Sequence, residues 1–104
     1  MGKTLGRGIM KHIILVKWNK DVVDKDEIAK NAKSLFDKLV NISGIHSVKF
    51  HKNVIDRANR YDLMICIVMD KEILPVYDES QPHHEWKEKY GKFVENKAIF
   101  DFEE

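Results

Sequence analysis

The chain has 104 residues, 43% of them hydrophobic and 34% charged, which fits one domain and leaves no room for a second. Its 18 basic and 17 acidic residues give a net charge of +1 with no block of five like charges, so the footprint of a nucleic-acid or anionic-membrane binder is missing. The longest apolar runs, Ile13–Val16 and Met64–Met69, are far too short to cross a bilayer. The single cysteine, Cys66, has no internal disulfide partner, and a reducing, cytoplasmic location is expected.

Residues 1–9 hold three of the five glycines beside Lys3, Thr4 and Arg7. This is the composition of a flexible leader, with Met10 expected as the natural start of a domain over 10–104. No long apolar stretch marks a signal peptide here. Lys11–Trp18 then reads as a strand with both of its alternating sets apolar: Ile13 and Leu15, Ile14 and Val16. After a polar turn, Asp24 is placed to cap a helix, with Glu27 three residues on. Ile28, Ala32, Leu35, Phe36 and Leu39 trace one helical face, and Gly44 suits the left-handed position that ends it.

Ile45–Asn53 alternates as a half-buried strand, with Val48 and Phe50 opposed to Ser47, Lys49 and His51. Val54–Arg60 is a polar connection. Tyr61–Asp70 is a second strand apolar on both sides. A short helix over Lys71–Tyr77 takes Pro75 in its first turn, and Ser80-Gln81-Pro82 reads as a break. His83–Val94 is expected to be helical, with Trp86, Tyr90, Phe93 and Val94 inward and Cys66 a core residue of the preceding strand. Asn96–Glu103 closes the chain as a strand carrying Ala98, Phe100 and Phe102 on one face.

The order β-α-β-β-α-β is the ferredoxin-like arrangement, an α+β fold whose four-stranded antiparallel sheet carries its helices on one face. Two of its strands are apolar on both sides, yet helices cover only one. The other face needs a partner, and a second copy related by a two-fold axis is expected to form a homodimer.

Three stretches resemble the stress-responsive A/B barrel (Dabb) family: Lys11-His12-Ile13-Ile14-Leu15, Tyr61-Asp62-Leu63, and Tyr77 through Gln81-Pro82-His83-His84 with the final Ile99-Phe100-Asp101-Phe102. The resemblance runs from Met10 to Glu103. It implies a dimeric α+β barrel, with a small-molecule pocket between sheet and helices and an association with stress. Some plant members are polyketide cyclases that close an aromatic ring without metal or organic cofactor, and a related fold family holds cofactor-independent monooxygenases.

On that resemblance His84 matches the last histidine of the family's His-Pro-x-His motif, His12 the strand histidine, and Tyr77 the tyrosine ahead of the motif. A lyase or cyclase would then use His84 as general base, with His12 and Tyr77 assisting. Gln81 stands where the family has the motif's first histidine, and the Tyr77-to-His84 interval is one residue longer than in the cyclases. A pocket already filled by Trp18, Phe36 and Trp86 would favour a structural or binding role over catalysis.

Neither a metal nor a cofactor is expected. His83 and His84 are adjacent, so on a helix they diverge by about 100° rather than forming an i, i+4 pair. His46 and His51 lie five apart on a strand and point to opposite faces. Lys49, His51, Lys52, Arg57 and Arg60 form a mildly basic stretch, which reads as a solvated face or as a dock for an anionic ligand.

Overall fold

The computed structural model describes residues 8–103. Most of the leader therefore lies outside the described residues. β1 (Ile9–Trp18) begins one residue before the expected domain boundary, where Ile9 pairs with Asp70.

β1 and β3 (Leu63–Asp70) are the two central strands, as their doubly apolar character requires. β2 (Ile45–Lys52) flanks β3 and β4 (Val94–Glu103) flanks β1, giving the antiparallel order β2-β3-β1-β4. Along β1, Met10, His12, Ile14, Val16 and Trp18 are buried while the residues between them are not. This period of two separates a helix-covered face from an open one.

The covered face carries α1 (Lys25–Phe36), α2 (Leu74–Asp78) and α3 (Gln81–Tyr90). Asp24 caps α1 by accepting a hydrogen bond from the Glu27 backbone N–H at 3.0 Å. Gly44, at φ 98°, turns the chain into β2 in the left-handed region. A Cβ there would stand 2.4 Å from Cγ1 of Ile73, so the close approach also requires glycine.

Ser80-Gln81-Pro82 is not a break but the start of α3. Ser80 is the cap, and Pro82 occupies the first turn, where its missing N–H costs nothing. The helix also ends early. Gly91–Phe93 forms a 3-10 turn, and Val94 opens β4 rather than closing a helix.

Trp18, Phe36 and Trp86 fill the centre of the core. The Trp18–Trp86 ring centroids lie 6.2 Å apart and those of Phe36–Trp86 5.2 Å apart, both edge-on. Removing the Phe36 ring would cost about 3–5 kcal/mol, the usual loss for a fully buried aromatic.

The open face is apolar in the middle. Ile13 and Leu15 of β1 pair with Cys66 and Met64 of β3 and with Phe100 and Ala98 of β4. Phe102 and Val68 extend the patch opposite Lys11. Phe100 is 66% exposed. Ala98, Phe100 and Phe102 share a face as expected, but it is the open one. Cys66 lies there too, half-buried rather than in the core, because its register places it on the side away from Ile65 and Ile67.

Candidate functional site

The helices do not reach over the edge strand β4. Its helix-side residues Lys97, Ile99 and Asp101 are exposed and face α2 and α3 across a cleft of about 350 Å³. That volume lies at the lower end of the range, about 300–1,000 Å³, in which small-molecule sites fall.

His12 enters the cleft from the covered face of β1, and its side chain is 7% exposed. Asp101 is its cross-strand partner on β4. Residues directly opposite in an antiparallel ladder bring their side chains within contact, and the His12 ring meets the Asp101 carboxylate through Nδ1. A carboxylate accepts, so Nδ1 is the donor of this pair.

Tyr77 comes from α2. Pro75 sets the first turn of that short helix, and two residues on Tyr77 is buried to 1% exposure. Its ring lies 5.2 Å from that of His12, tilted by 62°. The Tyr77 hydroxyl is buried without a hydrogen-bond partner among the described residues. Burial raises its ionisation well above the usual phenol range, and the charges of Asp78 and Asp101 add to the effect. The group therefore stays a neutral donor.

Ser80 joins α2 to α3. Its hydroxyl donates to the Tyr77 carbonyl at 2.7 Å, and its Oγ accepts from the His83 N–H at 3.4 Å. This sets the His83 ring 4.7 Å from the Tyr77 ring, lining the cleft. His83 Nδ1 lies 3.0 Å from the Asp78 carbonyl, to which it donates. The tautomer follows from that acceptor, leaving Nε2 as the basic nitrogen. Burial lowers the His83 pKa, with the positive charges of Lys87 and Lys97 helping and the Asp78 carbonyl opposing.

Of the three residues expected to share a site, the fold brings His12 and Tyr77 together. His84 does not join them. It is exposed, points away from the cleft, and has its Nε2 4.0 Å from Glu79 Oε1. One helical residue is a rotation of about 100°, so when His83 faces Tyr77 its successor cannot. His83 shortens the interval from Tyr77 by one residue, the same residue by which His84 was too far along.

Asp101 and His83 were missed as site residues. The signal for Asp101 was its phase in β4: it shares parity with Ile99, opposite to Phe100 and Phe102. Lys87 and Lys97 also line the cleft without an ion pair among the described residues. No three His, Cys, Asp or Glu side chains among the described residues converge to hold a metal ion. No helix among them is long and apolar enough to cross a membrane.

Residues 10–104 match the family model described as the stress responsive A/B barrel domain. No curated protein matches the chain in sequence. Among solved structures, a dimeric ferredoxin-like protein of unknown function from Thermobifida fusca superposes with a TM-score of 0.79 at 18% identity, covering 100% of each chain. Hydroxynitrile lyase from Passiflora edulis gives 0.75 at 14% identity, over 94% of each chain. A Dabb family protein with a ferredoxin-like fold from Mesorhizobium loti gives 0.70 at 13% identity, over 92% of this chain and 96% of that one. At these identities the likeness is one of fold.

Proposed function

The chain belongs to the stress-responsive A/B barrel family, and from that premise we propose a homodimer that binds a small carbonyl- or hydroxyl-bearing molecule in the cleft between β4, α2 and α3. The single observation that carries the binding is Tyr77. Its buried hydroxyl lacks a partner among the described residues, beside the His12–Asp101 couple and His83. An unpaired buried hydroxyl costs free energy that a ligand oxygen would recover. Support for the dimer comes from the apolar open face and from the dimeric Thermobifida fusca relative. The aromatic filling by Trp18, Phe36 and Trp86 confines the ligand to the cleft and favours binding as the primary role. A cytoplasmic location fits the lone, half-buried Cys66.

A second reading is cofactor-independent proton transfer, as in a lyase or cyclase, and the paired histidines favour it. His83 takes the place of His84 as general base, because its Nε2 is free and its pKa is lowered. Tyr77 would donate to the oxygen on which negative charge develops. The hydroxynitrile lyase from Passiflora edulis, similar in fold, supports this class of chemistry.

The test combines binding and turnover. Titration of the labelled protein with aromatic aldehydes should shift the Tyr77 and His83 amide resonances, and Tyr77→Phe should weaken that response. Aldehyde release from an aromatic cyanohydrin is the turnover probe. His83→Ala should lower it about 10²–10⁴-fold with an unchanged melting temperature, and His84→Ala should leave it unaltered. Binding without turnover supports the first reading alone. Loss in His84→Ala with His83→Ala intact would overturn the assignment of the base, and no response of Tyr77 or His83 to any probe would overturn the site.

A further inference from the structure

A second cleft lies at the other end of β1. His12 and Trp18 are six residues apart on one strand, a separation of roughly 20 Å at the usual strand rise. The cleft beside Trp18 measures about 700 Å³, twice the volume of the cleft at His12. Trp18 and Leu63 supply its apolar floor, Lys25 and Ala29 of α1 one wall, and the connection from β2 to β3 the other. Trp86 lines the first cleft and Trp18 the second, so the packed pair of rings separates them.

The wall formed by residues 53–62 is held in shape. Asn53 Nδ2 donates to the Tyr61 carbonyl at 2.8 Å, the Ile55 N–H to Asn53 Oδ1 at 2.8 Å, and the Asn53 N–H to the Asp62 carbonyl at 3.1 Å. Five cationic side chains line the cleft, Lys17, Lys25, Lys52, Arg57 and Arg60, against three carboxylates, Asp26, Asp56 and Asp62. Two of those carboxylates are already engaged: Asp62 by Lys25 at 3.0 Å and by the Trp18 N–H, Asp26 by Lys52 at 2.8 Å.

Among the described residues, the other three cations meet only neutral acceptors or none. Lys17 Nζ donates to the Arg60 carbonyl at 3.1 Å, and the Arg60 guanidinium to Asn59 Oδ1 at 2.7 Å. Arg57 has no ion pair among the described residues. Asp56 alone opposes them. At the lip stand two apolar side chains, Val54 and Ile55, both exposed. Uncompensated positive charge above an apolar floor, with an apolar lip, suits one chemistry.

We propose that this second cleft binds a small amphipathic anion, with a carboxylate or phosphate head on Lys17, Arg57 and Arg60 and a short acyl or aryl body against Trp18, Leu63 and Ile55. Guanidinium groups take either head in bidentate fashion. The site is distinct from the cleft at His12 and does not depend on what that cleft does.

The test uses the wild-type chain, labelled with ¹⁵N, and follows amide and indole resonances. The probes are octanoate, octyl phosphate, octanol, octylammonium and inorganic phosphate. Octanoate or octyl phosphate should shift the Trp18 indole and the amides of 53–62 saturably, and the tighter of the two identifies the head group. Octanol and inorganic phosphate should each bind at least 10-fold more weakly, and octylammonium not at all. The double variant Arg57→Gln/Arg60→Gln, altered only on the connecting segment, should weaken octanoate at least 10-fold with an unchanged melting temperature. Equal binding of octanol or of inorganic phosphate overturns the proposal, as do shifts confined to His12, Tyr77 and His83. An unaltered affinity in the double variant overturns it too.

Discussion

His12 and Asp101 stand directly opposite each other on β1 and β4, with the buried imidazole Nδ1–H donating to a carboxylate that is itself part exposed. The ladder alone sets this pair, because cross-strand partners on one face of a sheet are forced into contact. Asp101→Ala removes the acceptor of a buried donor. Its stability loss is expected at about 1 kcal/mol, the lower part of the usual range because solvent reaches the Asp101 side. Asp101→Asn keeps an acceptor and should lose less. Urea unfolding reads both, and equal stability of Asp101→Ala and wild type would show that the pair contributes nothing.

Tyr77→Phe separates folding from function. The variant removes a hydroxyl that is buried without a partner and keeps the ring that packs on His12 and His83. Stability is expected to rise by about 1 kcal/mol, since an unsatisfied buried hydroxyl is a cost to the folded state. Ligand binding at the same cleft should weaken. A variant less stable than wild type would mean that the hydroxyl has a partner after all.

Acidification should destabilise the fold through His83. Burial and the charges of Lys87 and Lys97 hold its folded pKa below the unfolded value of about 6.5. The unfolded chain therefore binds more protons between those two values, and stability falls as pH drops through that window. Above it, no contribution is lost. In His83→Gln this part of the decline should vanish, which melting temperatures at pH 7.5, 6 and 5 would reveal. An identical slope in wild type and variant would remove His83 as the source. General-base activity at His83 should decline in the same direction, because protonation removes the Nε2 lone pair.

Phe100→Asp tests the open face. Phe100 lies opposite Ile13 on β1 in the middle of the apolar patch. A carboxylate there would be buried without a partner in a face-to-face dimer but solvated in a monomer. Sedimentation should show a dimer for wild type and a concentration-dependent shift to monomer for the variant, with the fold intact by circular dichroism. An unchanged dimer would place the interface elsewhere.

The amphipathic periods were legible because they are local. Alternation in β1 and β3, the Asp24 cap and the Gly44 turn each follow from neighbours in the chain, and they suffice for the order of elements and for an open face in need of a partner. The helix boundaries near Pro82 and Val94 were less so. Pro82 is compatible with a break or a first turn, and only the Ser80 cap decides between them.

The site divides the same way. The family resemblance singles out His12 in the first strand and Tyr77 ahead of the histidine motif. Which residue answers them depends on register and helical phase. Asp101 faces His12 because β4 pairs with β1 in one register out of several. His83 rather than His84 faces Tyr77 because the Ser80 bridge sets where α3 begins, and one residue of helix turns a side chain by about 100°. The chain alone therefore determined the α+β order and the apolar strands that call for a second copy. The tertiary structure chose the His12, Asp101, Tyr77 and His83 constellation, because contacts between residues far apart in sequence carry no local signature.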